Sequence, residues 1–201
     1  MEGPDFIKDE DRESVLLCKK GNVNAFEPLV LKYQKKMLNT AYRMIGNYED
    51  ACEIVQDAFV SAYKGIKNFE GKAMFSTWLY SIVVNLSKNR IKQNLTRLGR
   101  EHISLDDPIS SEKGAVSFEH ASKGPSVLEK MEQEEVQKKV NACIDALDIE
   151  FREVLVLRDI QGFSYKEISD MLKTAEGTVK SRLFRARDAI KNCLKKMLGD
   201  L

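Results

Sequence analysis

The sequence predicts an all-α fold, with two small helical domains joined by a flexible linker. Apolar residues recur at i, i+3 and i+4 through most of the 201 residues, which is the period of an amphipathic helix. Only 4 prolines and 11 glycines interrupt this pattern, which argues against a β-sandwich with many turns. Hydrophobic residues make up 43% and charged residues 31% of the chain, which excludes disordered and collagen-like classes.

The first domain is predicted over residues 10–95 as three amphipathic helices. Gly46 is suited to end the first helix, and Asn47 to cap the second. Ser76 or Thr77 is the expected cap of the third.

A linker is predicted over residues 96–127. The stretch 101–135 contains nine acids and three lysines, and its first two-thirds have scattered Ser, Gly and Pro and no sustained apolar stripe. Such a segment buries too little apolar surface to offset the entropy lost on ordering. Its two histidines, His102 and His120, are isolated and are expected to be solvated.

The second domain is predicted over residues 128–198, where the helical period resumes. Ser164 and Glu167 have the spacing of a capping box, and a break over 173–177 separates that short helix from a second one. Four apolar residues are spaced to hold the two helices together: Ile168, Leu172, Val179 and Leu183. The pattern is that of a helix-turn-helix.

The second helix of this pair has a polar face directed away from the core. That face contains Lys180, Ser181, Phe184 and Arg185. Residues 177–196 contain seven basic side chains and one acid, a charge that favours phosphate contacts and counterion release. A basic surface helix is usually only solvated, but its coincidence with a helix-turn-helix favours binding in the major groove, which is about 12 Å wide.

The first domain contains a segment rich in aromatic residues that is followed by a basic segment. Four of the twelve residues in 69–80 are aromatic, and no acid occurs over 86–100. Aromatic rings beside cations can bind unpaired bases, since each base stacked on a ring contributes roughly 1–3 kcal/mol of binding free energy. The alternative is that the rings are core residues, as expected for Trp78 from its spacing with Leu79 and Ile82. Composition alone leaves both interpretations open.

The second helix of the first domain has an acidic face. Its acids are Glu49, Asp50, Glu53 and Asp57. Such a face is usually solvated, but it could equally dock on a basic protein partner, and the residues alone do not decide between the two.

Several blocks together resemble a bacterial RNA polymerase sigma factor of the extracytoplasmic-function (ECF) group, which has only regions 2 and 4. The blocks are IVQDAF at 54–59, FSTWLYSI at 75–82 with Asn85, GFSYKEI at 162–168 and EGTVKSR at 176–182. The resemblance covers about residues 14–95 and 130–195, in the family's order and spacing. It implies that residues 10–95 form region 2 and residues 128–198 form region 4.

The resemblance implies a protein that binds core RNA polymerase, recognises the −35 and −10 promoter elements and promotes DNA melting, without catalysis, cofactor or metal. Expected partners are the β′ clamp helices and β flap of the polymerase, promoter DNA and an anti-sigma factor. The expected location is the cytoplasm, without membrane insertion. The acidic linker resembles the family segment that runs through the polymerase interior.

The resemblance also implies site residues, carried over by motif position. Glu53, Gln56 and Asp57 would dock on the polymerase. The single strand of the −10 element would meet Phe69, Lys72, Phe75, Asn85 and Asn89. The −35 element would be read by Lys180, Ser181, Phe184 and Arg185, with Arg182 and Arg187 on phosphates.

Two positions depart from the family pattern. Cys52 stands where an acid is common, which weakens the charge that would face the polymerase. Lys173 stands where such turns often have glycine, so lysine is strained there if the turn requires a positive φ.

The four cysteines predict free thiols in a cytosolic protein. Cys18, Cys52, Cys143 and Cys193 lie far apart with no C-x-x-C pair, which argues against zinc and against a secreted disulfide framework. No apolar run reaches the ~18 residues that a membrane span needs, and the N-terminus lacks the features of a signal peptide.

The main alternative is a stand-alone two-domain helix-turn-helix regulator that does not act through the polymerase. It would bind duplex DNA by itself, whereas a sigma factor needs core polymerase. An enzyme is a weaker alternative, since no P-loop, Ser-His-acid set or metal-ligand cluster occurs in the sequence.

Overall fold

The regular elements of the computed structural model are helical throughout its described residues, 10–101 and 127–198. The main helices are α1 (Arg12–Lys19), α2 (Glu27–Ile45), α3 (Tyr48–Gly65), α4 (Phe75–Glu101), α5 (Val127–Asp145), α6 (Ile149–Leu155), α7 (Tyr165–Leu172) and α8 (Glu176–Leu198). Short 3₁₀ turns occupy Val23–Phe26 and Ile66–Asn68, and a π-helical turn follows α6 at Val156–Ile160. The all-α prediction is confirmed.

Helix α4 is longer than the sequence suggested. Helix α4 continues through Glu101, beyond the predicted boundary at residue 95. Most of the acidic stretch, with His102 and His120, lies outside the described residues. No helix in the described part of the chain is both long and apolar enough to cross a bilayer.

Helices α2, α3 and α4 pack against one another as the first unit. Gly46 ends α2 with a φ of 74°, and the Asn47 side chain accepts a 2.9 Å hydrogen bond from the Asp50 amide at the start of α3, both as predicted. The cap expected at Ser76 or Thr77 is wrong. Helix α4 already begins at Phe75, whose ring is fully buried, so both hydroxyl residues lie within its first turn.

Helices α5 to α8 form the second unit, which contains the predicted helix-turn-helix. The capping box at the start of α7 is present, because Ser164 Oγ accepts from the Glu167 amide and Glu167 Oε2 accepts from the Ser164 amide at 2.8 Å. Lys173 ends α7 with a φ of 51°, so this lysine does occupy the left-handed conformation that favours glycine. Ile168, Val179 and Leu183 are buried between α7 and α8, as their spacing predicted.

The expectation of four free thiols is wrong. Cys143 of α5 and Cys193 of α8 form a disulfide across a sequence separation of 50 residues. Helices α5 and α8 pack side by side, and this brings together two cysteines that no local motif connects. Cys18 and Cys52 are free, the first buried and the second exposed.

The two units are packed against each other. Helix α4 contacts α7, and helix α2 contacts α5 and α6. A single hydrophobic cluster contains buried side chains of both units, from Leu79 and Val83 of α4 to Leu155 and Ile168 of the second unit. Two helical units were predicted from the sequence, but their interface was not.

Candidate nucleic-acid interface

The outward face of α8 is the surface that the sequence assigned to duplex DNA. The helical period determines which side of α8 faces outward, because Val179, Leu183 and Ala186 on the other side are buried against the rest of the second unit. The opposite residues are all exposed: Lys180, Ser181, Phe184 and Arg185. Phe184 is 75% exposed, an unusual position for so large an apolar residue. The structure therefore brings all four predicted reading residues onto one accessible surface.

Tyr165 organises further positive charge beside this face. The Lys180 ammonium lies 5.4 Å, and the Arg158 guanidinium 4.8 Å, from the centre of its ring. Both distances are within cation–π range. The first residue of α7 thus holds two cations close to the exposed face of α8.

The two arginines expected on phosphates form ion pairs inside the second unit. Arg182 is 23% exposed at its side chain and lies 2.7 Å from a Glu150 oxygen. Arg187 reaches both carboxylate oxygens of Asp159, at 3.0 and 2.6 Å, and this pairing raises the pKa of its guanidinium. The Arg187 side chain remains 55% exposed, so its weak surface pair can exchange for a phosphate more readily than that of Arg182.

Two of the residues expected at the −10 strand lie on one exposed strip of α4. Asn85 and Asn89 are one helical turn apart and both are exposed. Lys72 lies in the loop before α4, with its side chain 85% exposed and paired to Glu70. The amide groups and the lysine offer hydrogen-bond donors and charge to a ligand without rearrangement of the core.

The aromatic residues at this site divide into core and surface. Phe75 has no exposed surface, so the expected contact between its ring and a base does not fit this structure. It packs instead against Trp78 and Phe69, with ring centres 5.9 and 6.2 Å away. Trp78, expected in the core, is only partly buried, and the half-buried Phe69 ring lies 4.9 Å from it. Of the two aromatic residues expected at the −10 strand, Phe69 therefore retains exposed surface for a base, whereas Phe75 does not.

The acidic face of α3 carries the three residues expected to dock on a protein partner. Glu53, Gln56 and Asp57 are all exposed, Glu53 by 63% at its side chain. Arg90 of α4 pairs with Glu53 at 2.8 Å and also with Asp50, so part of the negative charge is neutralised within the unit. The exposed Gln56 and Asp57 form the rest of this acidic face.

Sequence reasoning missed Glu153 of α6. Its side chain is 1% exposed and lies 2.8 Å from the Lys88 ammonium of α4 and 3.6 Å from the Arg182 guanidinium of α8. Burial raises the pKa of this carboxyl above its usual value. The sequence signal that could have identified Glu153 is its position directly before the apolar run 154–157. Among the described residues, no group of three or more His, Cys, Asp or Glu is arranged to hold a metal ion.

Comparison with known families matches both units. Residues 29–96 match sigma-70 region 2, and residues 137–190 match sigma-70 region 4. The chain is 34% identical to the RNA polymerase sigma-H factor of Pseudomonas aeruginosa, over 97% of this chain and 99% of that protein. It is also 34% identical to the ECF RNA polymerase sigma-E factor of Escherichia coli K12, over 94% and 96% of the two chains.

Two solved structures share the arrangement of helices. The sigma factor RpoE of Bartonella quintana, in complex with the anti-sigma factor NepR, superimposes with a TM-score of 0.63 at 25% identity, over 86% of this chain and 98% of that one. CnrH in complex with the cytosolic domain of CnrY gives a TM-score of 0.65 at 24% identity, over 94% and 99%. The second likeness concerns the fold alone.

Proposed function

The chain belongs to the sigma-70 family as an ECF-type RNA polymerase sigma factor, and we propose that its two helical units act on separate promoter elements. Residues 128–198 would serve as region 4 on the −35 element. Residues 10–95 would serve as region 2, on the −10 element and on the polymerase. The protein acts with RNA polymerase in transcription initiation, and we infer that it contributes binding free energy and no covalent chemistry.

The observation that carries the proposal is the exposed face of α8. A helix whose buried side is fixed by Val179 and Leu183 can present Lys180, Ser181 and Arg185 to base edges in the major groove. An arginine there can make two hydrogen bonds to guanine, the commonest specific contact. The exposed Phe184 ring can meet a thymine methyl group.

Melting at the −10 element requires that unpaired bases be captured. Opening the duplex costs about 1.4 kcal/mol for each stacked step, and flipping one base costs a few kcal/mol more. The exposed amides of Asn85 and Asn89 can hydrogen-bond a flipped base, while Phe69 stacks and Lys72 neutralises phosphate. The same contacts would then select the promoter sequence and stabilise the melted strand.

The acidic strip of α3 is proposed to dock on the β′ clamp helices of the polymerase. Glu53 and Asp57 are one turn apart, so their charges and the Gln56 amide can face the same partner. Region 4 would contact the β flap. Since the polymerase is the partner, the cytoplasm is the proposed location.

An anti-sigma factor is a further proposed partner. The Bartonella structure holds the sigma factor RpoE in complex with the anti-sigma factor NepR. The likeness of this chain to that arrangement, over 86% of its length, supports recognition of the packed units by such a protein.

Transcription in vitro tests the proposal against a stand-alone regulator. The purified chain should bind a promoter fragment weakly by itself and specifically after core polymerase is added, and RNA should start at a fixed position. The variant Asn85→Ala should lose discrimination at the −10 element, while Lys92→Ala, exposed one turn further along α4 than Lys88, should not. Tight specific binding without core polymerase would favour the stand-alone regulator.

A further inference from the structure

Lys19, the last residue of α1, is bonded to the segment proposed to capture the −10 strand. Its ammonium donates a hydrogen bond to the carbonyl of Phe69, which lies 50 positions away in the sequence. The same ammonium is 6.0 Å from the centre of the Phe69 ring, at the outer edge of the cation–π range. Lys19 is partly buried, whereas the neighbouring Lys20 is exposed. One cation therefore contacts both the backbone and the ring of the residue proposed to stack on a base.

Residues 69–74, which we call the capture loop, contain no helix or strand. The Phe69 amide donates to the Ile66 carbonyl at 3.2 Å, but the Phe69 carbonyl lies beyond this last 3₁₀ turn. Lys19 supplies a donor for that carbonyl from a different helix. The Phe69 ring lies against Trp78 of α4, with centres 4.9 Å apart. The start of the capture loop is therefore fixed on one side by α4 and on the other by α1.

Helix α1 is itself fixed on the first unit. Val15 and Cys18 are buried in the hydrophobic cluster. Asp11, directly before α1, is 4% exposed, accepts a hydrogen bond from the Tyr33 hydroxyl and lies 2.6 Å from the Lys32 ammonium. Both of these partners belong to α2. The contact from Lys19 therefore joins the capture loop to a helix that is anchored in the core.

We propose that Lys19 is a positioning residue for the −10 element, which holds the capture loop in its base-binding form before DNA arrives. This inference rests on the proposed function, in which Phe69 stacks on an unpaired base and Lys72 neutralises phosphate. A loop that is already ordered loses less conformational entropy when it binds a strand, so its preorganisation increases affinity. Lys19 has this effect without touching the DNA.

The other role open to this cation is a direct contact with a phosphate, and the two roles differ in measurable ways. Loss of a phosphate contact reduces the slope of log affinity against log salt concentration by about 1. Its cost also adds to that of other substitutions at separate contacts. A positioning residue leaves the salt slope unchanged, and because it acts through Phe69, its effect becomes smaller once the Phe69 ring is removed.

Fluorescence of the full chain reports on the capture loop in the free protein. Trp78 is the only tryptophan of the sequence, and its emission responds to any displacement of the adjacent Phe69 ring. Lys19→Met keeps an apolar stem of similar length but removes the ammonium. This variant should shift the emission to longer wavelength and increase quenching by acrylamide, because a displaced loop exposes the indole.

Two further variants control this measurement. Lys19→Arg retains a charged donor at the same position and should restore the wild-type spectrum. Lys20→Met removes an equal charge from the adjacent exposed position and should also leave the spectrum unchanged. A shift in Lys20→Met as large as that in Lys19→Met would show that the loop responds to charge in general, and it would overturn the specific role of Lys19.

Strand binding by polymerase that contains each variant is the second readout. The probe is a fluorescent single-stranded oligonucleotide with the −10 sequence of a promoter that the wild-type holoenzyme transcribes. Lys19→Met should weaken binding by about tenfold, while Lys19→Arg and Lys20→Met should remain within about twofold of wild type. Assembly with core polymerase should be unchanged in every variant, since the proposed docking face lies on α3.

The double variant Lys19→Met with Phe69→Ala separates positioning from direct contact. It should bind the strand little worse than Phe69→Ala alone, and Lys19→Met should keep the wild-type salt slope. Full additivity together with a slope reduced by about 1 would replace positioning by a phosphate contact. An unchanged spectrum or an unchanged strand affinity in Lys19→Met would also overturn the proposal.

The two proposals fail in different ways. If polymerase with the wild-type chain neither starts RNA nor prefers the −10 strand, the proposed function is refuted, and no strand capture remains for Lys19 to assist. If the wild type transcribes and prefers this strand, but Lys19→Met binds it equally well, the role of Lys19 alone is refuted.

Discussion

The Tyr80 hydroxyl of α4 donates a hydrogen bond to the side-chain oxygen of Gln161, and this bond crosses from one helical unit to the other. Burial raises the pKa of Tyr80 to about 12, from an ordinary value of 10.0. The phenol must keep its proton to donate, so the interface contains a group whose protonation is linked to folding.

Between pH 10 and 12 we therefore expect stability to fall. In this window the folded state retains the Tyr80 proton that the unfolded state loses, so the folded state binds more protons and is disfavoured as pH rises. Tyr33, whose pKa burial also raises to about 12, acts in the same direction. Urea unfolding over this range should show a shallower decline for Tyr80→Phe than for wild type. Equal slopes would contradict the assignment to Tyr80.

Lys173→Gly should stabilise the protein. Lysine at a φ of 51° carries a steric cost of about 1 kcal/mol, which glycine avoids. Glycine loses more conformational entropy on folding, and this offsets part of the gain. We expect a gain of about 0.5 kcal/mol in the free energy of unfolding, measured by denaturant titration. Lys166→Gly is the control, since Lys166 lies within α7 and the change should cost up to about 1 kcal/mol. A loss at both positions would show that the turn does not need a positive φ in solution.

The Cys143–Cys193 disulfide should contribute to stability. Closing a loop across 50 residues restricts the unfolded chain, an effect of up to about 4 kcal/mol in the entropy treatment. Wild type in strong reductant and Cys193→Ser in either condition should therefore unfold at the same, lower denaturant concentration. Thiol titration of the denatured, unreduced protein should detect the free Cys18 and Cys52 only. Detection of four thiols in protein purified without reductant would contradict the pairing.

Arg185→Ala should relax sequence preference at the −35 element. The side chain is exposed on the reading face, so its loss should not affect folding, and a base contact of this kind contributes about 1–3 kcal/mol. Binding of polymerase containing each variant to a library of −35 sequences measures the effect. Lys191→Ala, an exposed change further along α8, should weaken binding evenly across the library. An unchanged preference in Arg185→Ala would remove this residue from the proposed readers.

Local signals were the most reliable part of the sequence. Three such signals each depend on residues within a few positions of one another. They are the Ser164–Glu167 capping box, the end of α2 at Gly46 with the cap of α3 at Asn47, and the buried stripe of α8. The burial of Phe75 was not evident from the sequence, because an aromatic residue beside a basic segment has the same composition whether it faces a core or a ligand. Only its packing against Phe69 and Trp78 separates the two cases.

The sequence by itself determined the helices, their apolar faces and the basic exposed face of α8, because each follows from periodicity and charge along a short stretch. Only the tertiary structure decided that Cys143 meets Cys193 and that Lys88 meets Glu153, at 2.8 Å from a residue 65 positions away. Such pairs depend on how separate helices pack, and no local pattern encodes the distance between residues on different helices.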